Sequence, residues 1–205
     1  MFDFFALIDA DVFLFINSRH SPFFDHFFSL VTWFGSGWVA VPLAGAVIFL
    51  ATPRSYLARA LVCAAIAGVL AGITNTQIKR VVNRPRPAVY FERQAALQEV
   101  KTAVRSKVHE VGAPLRRNSF PSGHAATAFA AATILFLLYG GKSALAFIPA
   151  LFAAYSRVYM GVHFPLDVVA GAALGSGIAL LSILFFRGNK FLPPQVPLWR
   201  KHAEQ

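Results

Sequence analysis

Five stretches of this chain are long, apolar and almost free of charge, and no other feature constrains its fold as strongly. A bilayer core about 30 Å thick takes roughly 20 residues of helix. The stretches run from about Leu30 to Ala51, Ala60 to Ile78, Gly123 to Tyr139, Ala144 to Met160 and Val168 to Phe186. In lipid, backbone polar groups must be satisfied within the segment, so each stretch is expected to be a helix. The chain of 205 residues is 57% hydrophobic and 14% charged, whereas a soluble domain carries about 25% charge. A water-soluble enzyme and a disordered chain are both poor fits. The expectation is an all-α, polytopic membrane bundle of about five transmembrane helices, forming a single domain over residues 1–205.

The balance of 19 Lys+Arg against 9 Asp+Glu gives a net charge of +10. In a soluble protein that would suggest nucleic acid. Here most basic residues lie between Lys79 and Arg117 or at the C-terminus, outside the apolar runs, where they suit anionic headgroups instead. No nucleic-acid partner is expected. Cys63 is the only cysteine, so no internal disulfide can form, and its apolar surroundings make it a packing residue.

Residues 1–25 read as an interfacial N-terminal segment. Met1 to Asn17 mixes Phe and Leu with Asp3, Asp9 and Asp11, too short and acidic to cross, and no basic region precedes an apolar core as in a signal peptide. It is expected to be an amphipathic helix on the membrane, followed by a turn around Pro22. The long polar segment Val81 to Phe120 includes an extramembrane amphipathic loop, residues 88–118. There Leu97, Val100, Val104, Val108 and Val111 recur at helical spacing, predicting a helix that lies on the membrane or over a cleft.

An odd number of crossings puts the termini on opposite sides. With the N-terminus outside, Arg54, Lys142 and the tail bearing Arg187, Lys190, Arg200 and Lys201 are cytoplasmic, as the positive-inside rule asks. The long outer loop then holds more Lys and Arg than the cytoplasmic ones, which requires those residues to serve a site.

This topology gathers three polar clusters on one membrane face: Lys79 with Arg86-Pro87, then Pro121-Ser122-Gly123-His124, then Ser156-Arg157 with His163 and Asp167. Lys79, Arg86 and Arg157 together are tolerable at a membrane boundary only around an anion. Arg offers a planar fork for phosphate oxygens and Lys a compact charge. Ser122 and Gly123 open a helix whose free amides point at the same place. His163 and Asp167 are four apart, so the carboxylate can hold one ring nitrogen while the other acts as nucleophile. His124 is placed to protonate a leaving oxygen. The constellation suits in-line phosphoryl transfer through a phosphohistidine, followed by hydrolysis.

Lys79-x6-Arg86-Pro87, Pro121-Ser122-Gly123-His124 and Ser156-Arg157-x5-His163-x3-Asp167 together resemble the three-part signature of the type 2 phosphatidic acid phosphatase family, with no departure at any fixed position. The resemblance covers Lys79 to Asp167. It implies that Lys79, Arg86, Ser122, Gly123 and Arg157 bind phosphate, that His163 is the nucleophile, His124 the acid and Asp167 the orienting carboxylate. It also implies an all-helical bundle, no cofactor and no metal. The implied activity is that of an integral membrane phosphatase acting at the outer, periplasm-like face of a bacterial-type inner membrane. Its substrate would be a lipid phosphate or diphosphate, with undecaprenyl diphosphate favoured over phosphatidylglycerol phosphate, phosphatidic acid or the 1-phosphate of lipid A.

Other readings of the same residues exist. His124, His163 and Asp167 spell a two-His, one-carboxylate metal triad, which nearby cations disfavour. A vanadium haloperoxidase holds vanadate in a similar site but is soluble. A lipid-binding or transport protein would need the cations but no nucleophile. Arg84, Arg116 and Arg117 either extend the phosphate site or are solvated charges. His20, His26, His109 and His202 read as surface residues.

Overall fold

The computed structural model describes residues 2–97, 108–189 and 191–192, and every regular element among them is helical. Helix α1 spans Phe2–Asn17 and α2 spans Pro22–Val31. A 3-10 turn, Thr32–Gly35, leads into α3, Gly37–Ala51. Then follow α4 (Arg54–Val82), α5 (Pro87–Leu97), α6 (Gly123–Tyr139), α7 (Phe147–Tyr159) and α8 (Pro165–Gly188).

The five apolar stretches all become helical, but not as five equal rods. The first is broken: α2 with its 3-10 turn meets α3 at a 58° bend. Ser36 causes the break by leaving the helix at ψ 134 and capping α3 through the Trp38 amide. The stretch expected from Ala144 to Met160 starts as a 3-10 segment, Gly141–Ala146, and is α-helical over only 13 residues, about 20 Å. Two helical stretches, Arg54–Ala96 and Pro165–Gly188, are long and apolar enough to cross a membrane, and the bent pair makes a third. The α6 helix, 17 residues of apolar sequence, is slightly shorter.

Small residues set the packing. On α4 the buried side chains Ala60, Cys63, Ala67, Ala71 and Asn75 form one stripe, and on α8 Gly171, Gly175 and Ala179 recur every four residues. Against α6 the backbones nearly touch: a Cβ on Gly175 would sit 2.0 Å from the carbonyl oxygen of Ala126. Such close approach is how helices associate where lipid removes the hydrophobic drive. At one end of the bundle Thr52 Oγ1 and Tyr139 Oη lie 2.6 Å apart, tying the α3–α4 turn to the end of α6.

Two expectations change here. The acidic face of α1 does not all meet water, because Asp9 is buried, as are Phe13 and Asn17. Asn17 donates from Nδ2 to the carbonyls of His109 and Tyr159 and accepts from the His109 amide, so α1 is docked onto the protein. The helix expected from Leu97 to Val111 begins ten residues earlier, at Pro87. Residues 98–107 lie outside the described residues, and Val108 to Val111 is irregular chain, with the Val111 amide bonded to the Met160 carbonyl.

Candidate active site

The site forms at one end of the bundle, where α4 ends, α6 and α8 begin, and α7 gives way to a short loop. Asn83 closes α4 in the left-handed conformation that Asn tolerates as a helix cap. The chain then runs Arg84-Pro85-Arg86 into α5, alongside residues 116–119. The Ser119 amide donates to the Arg84 carbonyl at 2.9 Å. Asn118, with φ 57, turns its carbonyl inward, where it accepts from Lys79 Nζ at 2.8 Å.

Arg86 is buried in the site. Its Nε donates to the Arg117 carbonyl at 3.0 Å, and its Nη1 donates to the Val162 carbonyl at 2.7 Å and to His163 Nε2 at 3.1 Å. His163 lies in the loop between α7 and α8 and is 3% exposed. Burial pushes its imidazole down from the ordinary histidine value, to about 3, against the opposing pull of the Asp167 carboxylate. It is therefore neutral, and its Nδ1 faces Asp167 Oδ2 at 3.5 Å, longer than a formed hydrogen bond.

Asp167 sits in the first turn of α8 with its side chain fully buried. Oδ2 accepts from the Phe164 amide at 2.9 Å and from the Ser119 hydroxyl, and Oδ1 accepts from Arg84. Its backbone carbonyl accepts from the Ser122 amide at 2.8 Å, which joins the start of α8 to the start of α6. Ser122 caps α6 through its hydroxyl. The amides of Gly123 and His124 lack partners within the helix, as the first turn requires. The Nδ2 of Asn75 stands 3.3 Å from where a Gly123 Cβ would be.

Arg157, from the end of α7, donates through Nη1 to Thr32 Oγ1 at 2.9 Å, while its buried Nε has no hydrogen-bond partner. His124 packs on Gly35 of the 3-10 turn. The charges of Arg86 and Arg157 act on both His124 and His163, and Lys79 also acts on His124. All eight residues expected at the site are thus brought to one end of the bundle. Among the described residues no group of three or more His, Cys, Asp or Glu is arranged to hold a metal ion.

The profile of the PAP2 superfamily matches residues 56–191. The chain belongs to that superfamily. A PAP2 relative from Bacteroides thetaiotaomicron, a lipid A 4'-phosphatase, is 30% identical over 185 residues, covering 85% of this chain and 75% of the relative. A decaprenylphosphoryl-5-phosphoribose phosphatase from Mycolicibacterium smegmatis is 38% identical over 136 residues, 66% of this chain and 63% of the relative. Among solved structures, Aquifex aeolicus LpxE superposes with a TM-score of 0.66 at 31% identity, covering 85% of this chain and 93% of that one. This PAP2 chain is accordingly a hydrolase of a membrane phosphatase family.

Several contacts in this PAP2 site lay beyond sequence reasoning. Thr32, Asn75, Asn118 and Ser119 touch the motif residues from positions outside every motif. Asn75 stands one helical turn before Lys79 on the buried α4 stripe, the one signal that could have found it. Arg84 is not a solvated charge, since it pairs with two buried carboxylates, Asp9 and Asp167. His109 is not a plain surface residue: its Nε2 lies 3.0 Å from Asp25 Oδ2 and its ring stacks on His20.

Proposed function

We propose that this PAP2 phosphatase removes a phosphoryl group from a lipid phosphate or diphosphate, with His163 as nucleophile, His124 as acid and base, and Asp167 as orienting carboxylate. The Arg86 Nη1 to His163 Nε2 contact carries this reading. It puts a phosphate-binding fork directly against a neutral imidazole nitrogen, whose lone pair accepts from Arg86 until a substrate phosphate takes that N–H and releases the nitrogen for attack. In the first step Nε2 bonds to phosphorus as the bond to the lipid oxygen breaks, and His124 gives that oxygen its proton. In the second, water attacks phosphorus, His124 accepts the water proton, and the P–N bond breaks to release phosphate. Lys79, Arg157 and the amides of Gly123 and His124, at the helix start that Ser122 caps, would bind the equatorial oxygens whose charge grows in transit. The cationic Nδ1–H of phosphorylated His163 would draw closer to Asp167, as catalytic contacts do when substrate is bound.

A diphosphate such as undecaprenyl diphosphate is favoured over a monophosphate by an adjoining cavity of about 480 Å³, lined by Asn83, Pro85, Val89, Arg93, Arg116 and Arg117. Arg93 and Arg117, with Arg116 held beside them by Glu92, suit a second phosphate. The decaprenylphosphoryl relative supports a polyprenyl tail. Arg54, Lys142 and Arg187 stand at the end of the bundle opposite the site, which favours a site on the outer face of the inner membrane.

The test is phosphate release from purified lipid monophosphates and diphosphates in detergent, with His163→Ala as blank. Release by wild type, its loss in the variant and competition by vanadate are expected. Activity retained in His163→Ala, or inhibition by a chelator that a metal reverses, would remove the histidine mechanism.

A further inference from the structure

The first 78 residues carry no part of the sequence signature, yet α1 delivers a buried carboxylate to within one residue of the catalytic group. Arg84 Nη1 donates to Asp167 Oδ1 at 2.6 Å, and its Nη2 donates to Asp9 Oδ2 at 2.7 Å. Both carboxylate side chains are 0% exposed and that of Arg84 is 22% exposed. The other oxygen of Asp9 accepts from the Leu166 amide at 2.8 Å, so Asp9 also holds the first turn of α8, the turn on which Asp167 stands. The guanidinium lies 4.2 Å over the Phe164 ring, fixing its plane.

We propose that Asp9 and Arg84 are positioning residues that hold Asp167 in register with His163 and keep it negative. The inference rests on His163 and Asp167 being the nucleophile pair. An arginine bound to Asp167 alone would offset the charge that the phosphorylated imidazole needs as its partner. Here one cation is divided between two carboxylates, so Arg84 does not offset Asp167 one to one. A buried ion pair is weak evidence for stability, and a neutral cap would serve the α8 amide equally well. The fork instead fixes rotation of the Asp167 carboxylate. Oδ1 is held by Arg84, and Oδ2 is left facing Nδ1 with only Ser119 and the Phe164 amide as competitors.

The deciding experiment measures kcat, KM and thermal unfolding in detergent for Asp9→Asn, Arg84→Met, Arg84→Lys and the Asp9→Asn/Arg84→Met double variant, on the best lipid phosphate of the panel, beside His163→Ala. Asp9→Asn keeps an acceptor for the Leu166 amide but replaces the oxygen that accepts from Arg84 with an NH2, so it removes the charge and that hydrogen bond together. It should lower kcat about tenfold with KM within about twofold and an unfolding midpoint near wild type. Arg84→Met should lower kcat about 100-fold, and Arg84→Lys should recover part of it. The double variant should be no worse than Arg84→Met, because residues acting as one unit are not additive. Should Arg84→Met fail to fold, Asp9→Asn carries the test. Unchanged kcat in Asp9→Asn, a fall in kcat and midpoint together, or multiplicative losses would overturn the proposal. Absence of any His163-dependent release in wild type would instead sink the catalytic reading beneath it.

Discussion

Arg86 Nη1 lies 3.1 Å from His163 Nε2, and a guanidinium can only donate. The imidazole must therefore accept on Nε2 and carry its proton on Nδ1, toward Asp167. One contact thus sets the tautomer that a histidine nucleophile needs, before any substrate is present. Arg86 is itself held by the Arg117 and Val162 carbonyls, so its fork is aimed by backbone and not by chance rotation.

Arg86→Lys should therefore be far from conservative. An ammonium cannot reach His163, Val162 and Arg117 at once, and kcat/KM is expected to fall by about 100-fold or more. Steady-state kinetics on the preferred lipid phosphate check this; a loss under about threefold would mean that Arg86 does not aim at the nucleophile.

Gly35 is packed against the proposed acid. A Cβ there would lie 2.9 Å from His124 Cβ and 3.0 Å from its carbonyl oxygen, so Gly35→Ala must push the 3-10 turn and α6 apart. The expected result is a kcat reduced by about ten- to 100-fold with a smaller change in KM, since about 1 Å of misplacement is costly to catalysis. Normal kcat would show that the 3-10 turn does not set the His124 position.

Two glycines of α8, two residues apart, should respond oppositely to alanine. Gly175→Ala puts a methyl 2.0 Å from the Ala126 carbonyl, whereas Gly177→Ala meets nothing within 4 Å. The first is expected to lose about 1–3 kcal/mol to overpacking. The second should be neutral or gain up to about 1 kcal/mol from helix propensity. Unfolding midpoints in detergent separate the two, and equal midpoints would contradict the close α6–α8 contact.

Stability should fall with acid through His163. Burial lowers its folded-state value to about 3, against about 6.5 when unfolded. Between these values the unfolded chain binds the proton that the folded one refuses. The cost begins as pH drops through about 6.5 and grows by about 1.4 kcal/mol per unit until pH nears 3. Thermal unfolding between pH 7 and 5 should show a steeper decline for wild type than for His163→Gln; parallel curves would show that His163 is not buried neutral.

The site was legible residue by residue because its chemistry is short-ranged along the chain. His163 and Asp167 lie four residues apart, and Ser122 and Gly123 open one helix, so each cluster could be read locally, and the three-part signature joined them into one candidate site. Asp9 was read as a water-facing acid on an amphipathic helix. Nothing within its own segment marks it otherwise, since its partners Arg84 and Leu166 are 75 and 157 residues away. Thr32 and Ser119 were invisible for the same reason.

The run lengths and hydropathy by themselves determined that the chain is helical and membrane-embedded, because lipid leaves a backbone few alternatives. The three polar clusters determined which residues could meet an anion. Tertiary structure decided the rest: that the first apolar stretch breaks at Ser36 so that Thr32 reaches Arg157, that α1 docks through Asn17, and that Arg84 spans Asp9 and Asp167. A hydrogen bond between distant segments depends on helix packing to within a few tenths of an ångström. That packing is fixed by which small residues face each other across α4, α6 and α8, a property of pairs of helices and not of any one segment.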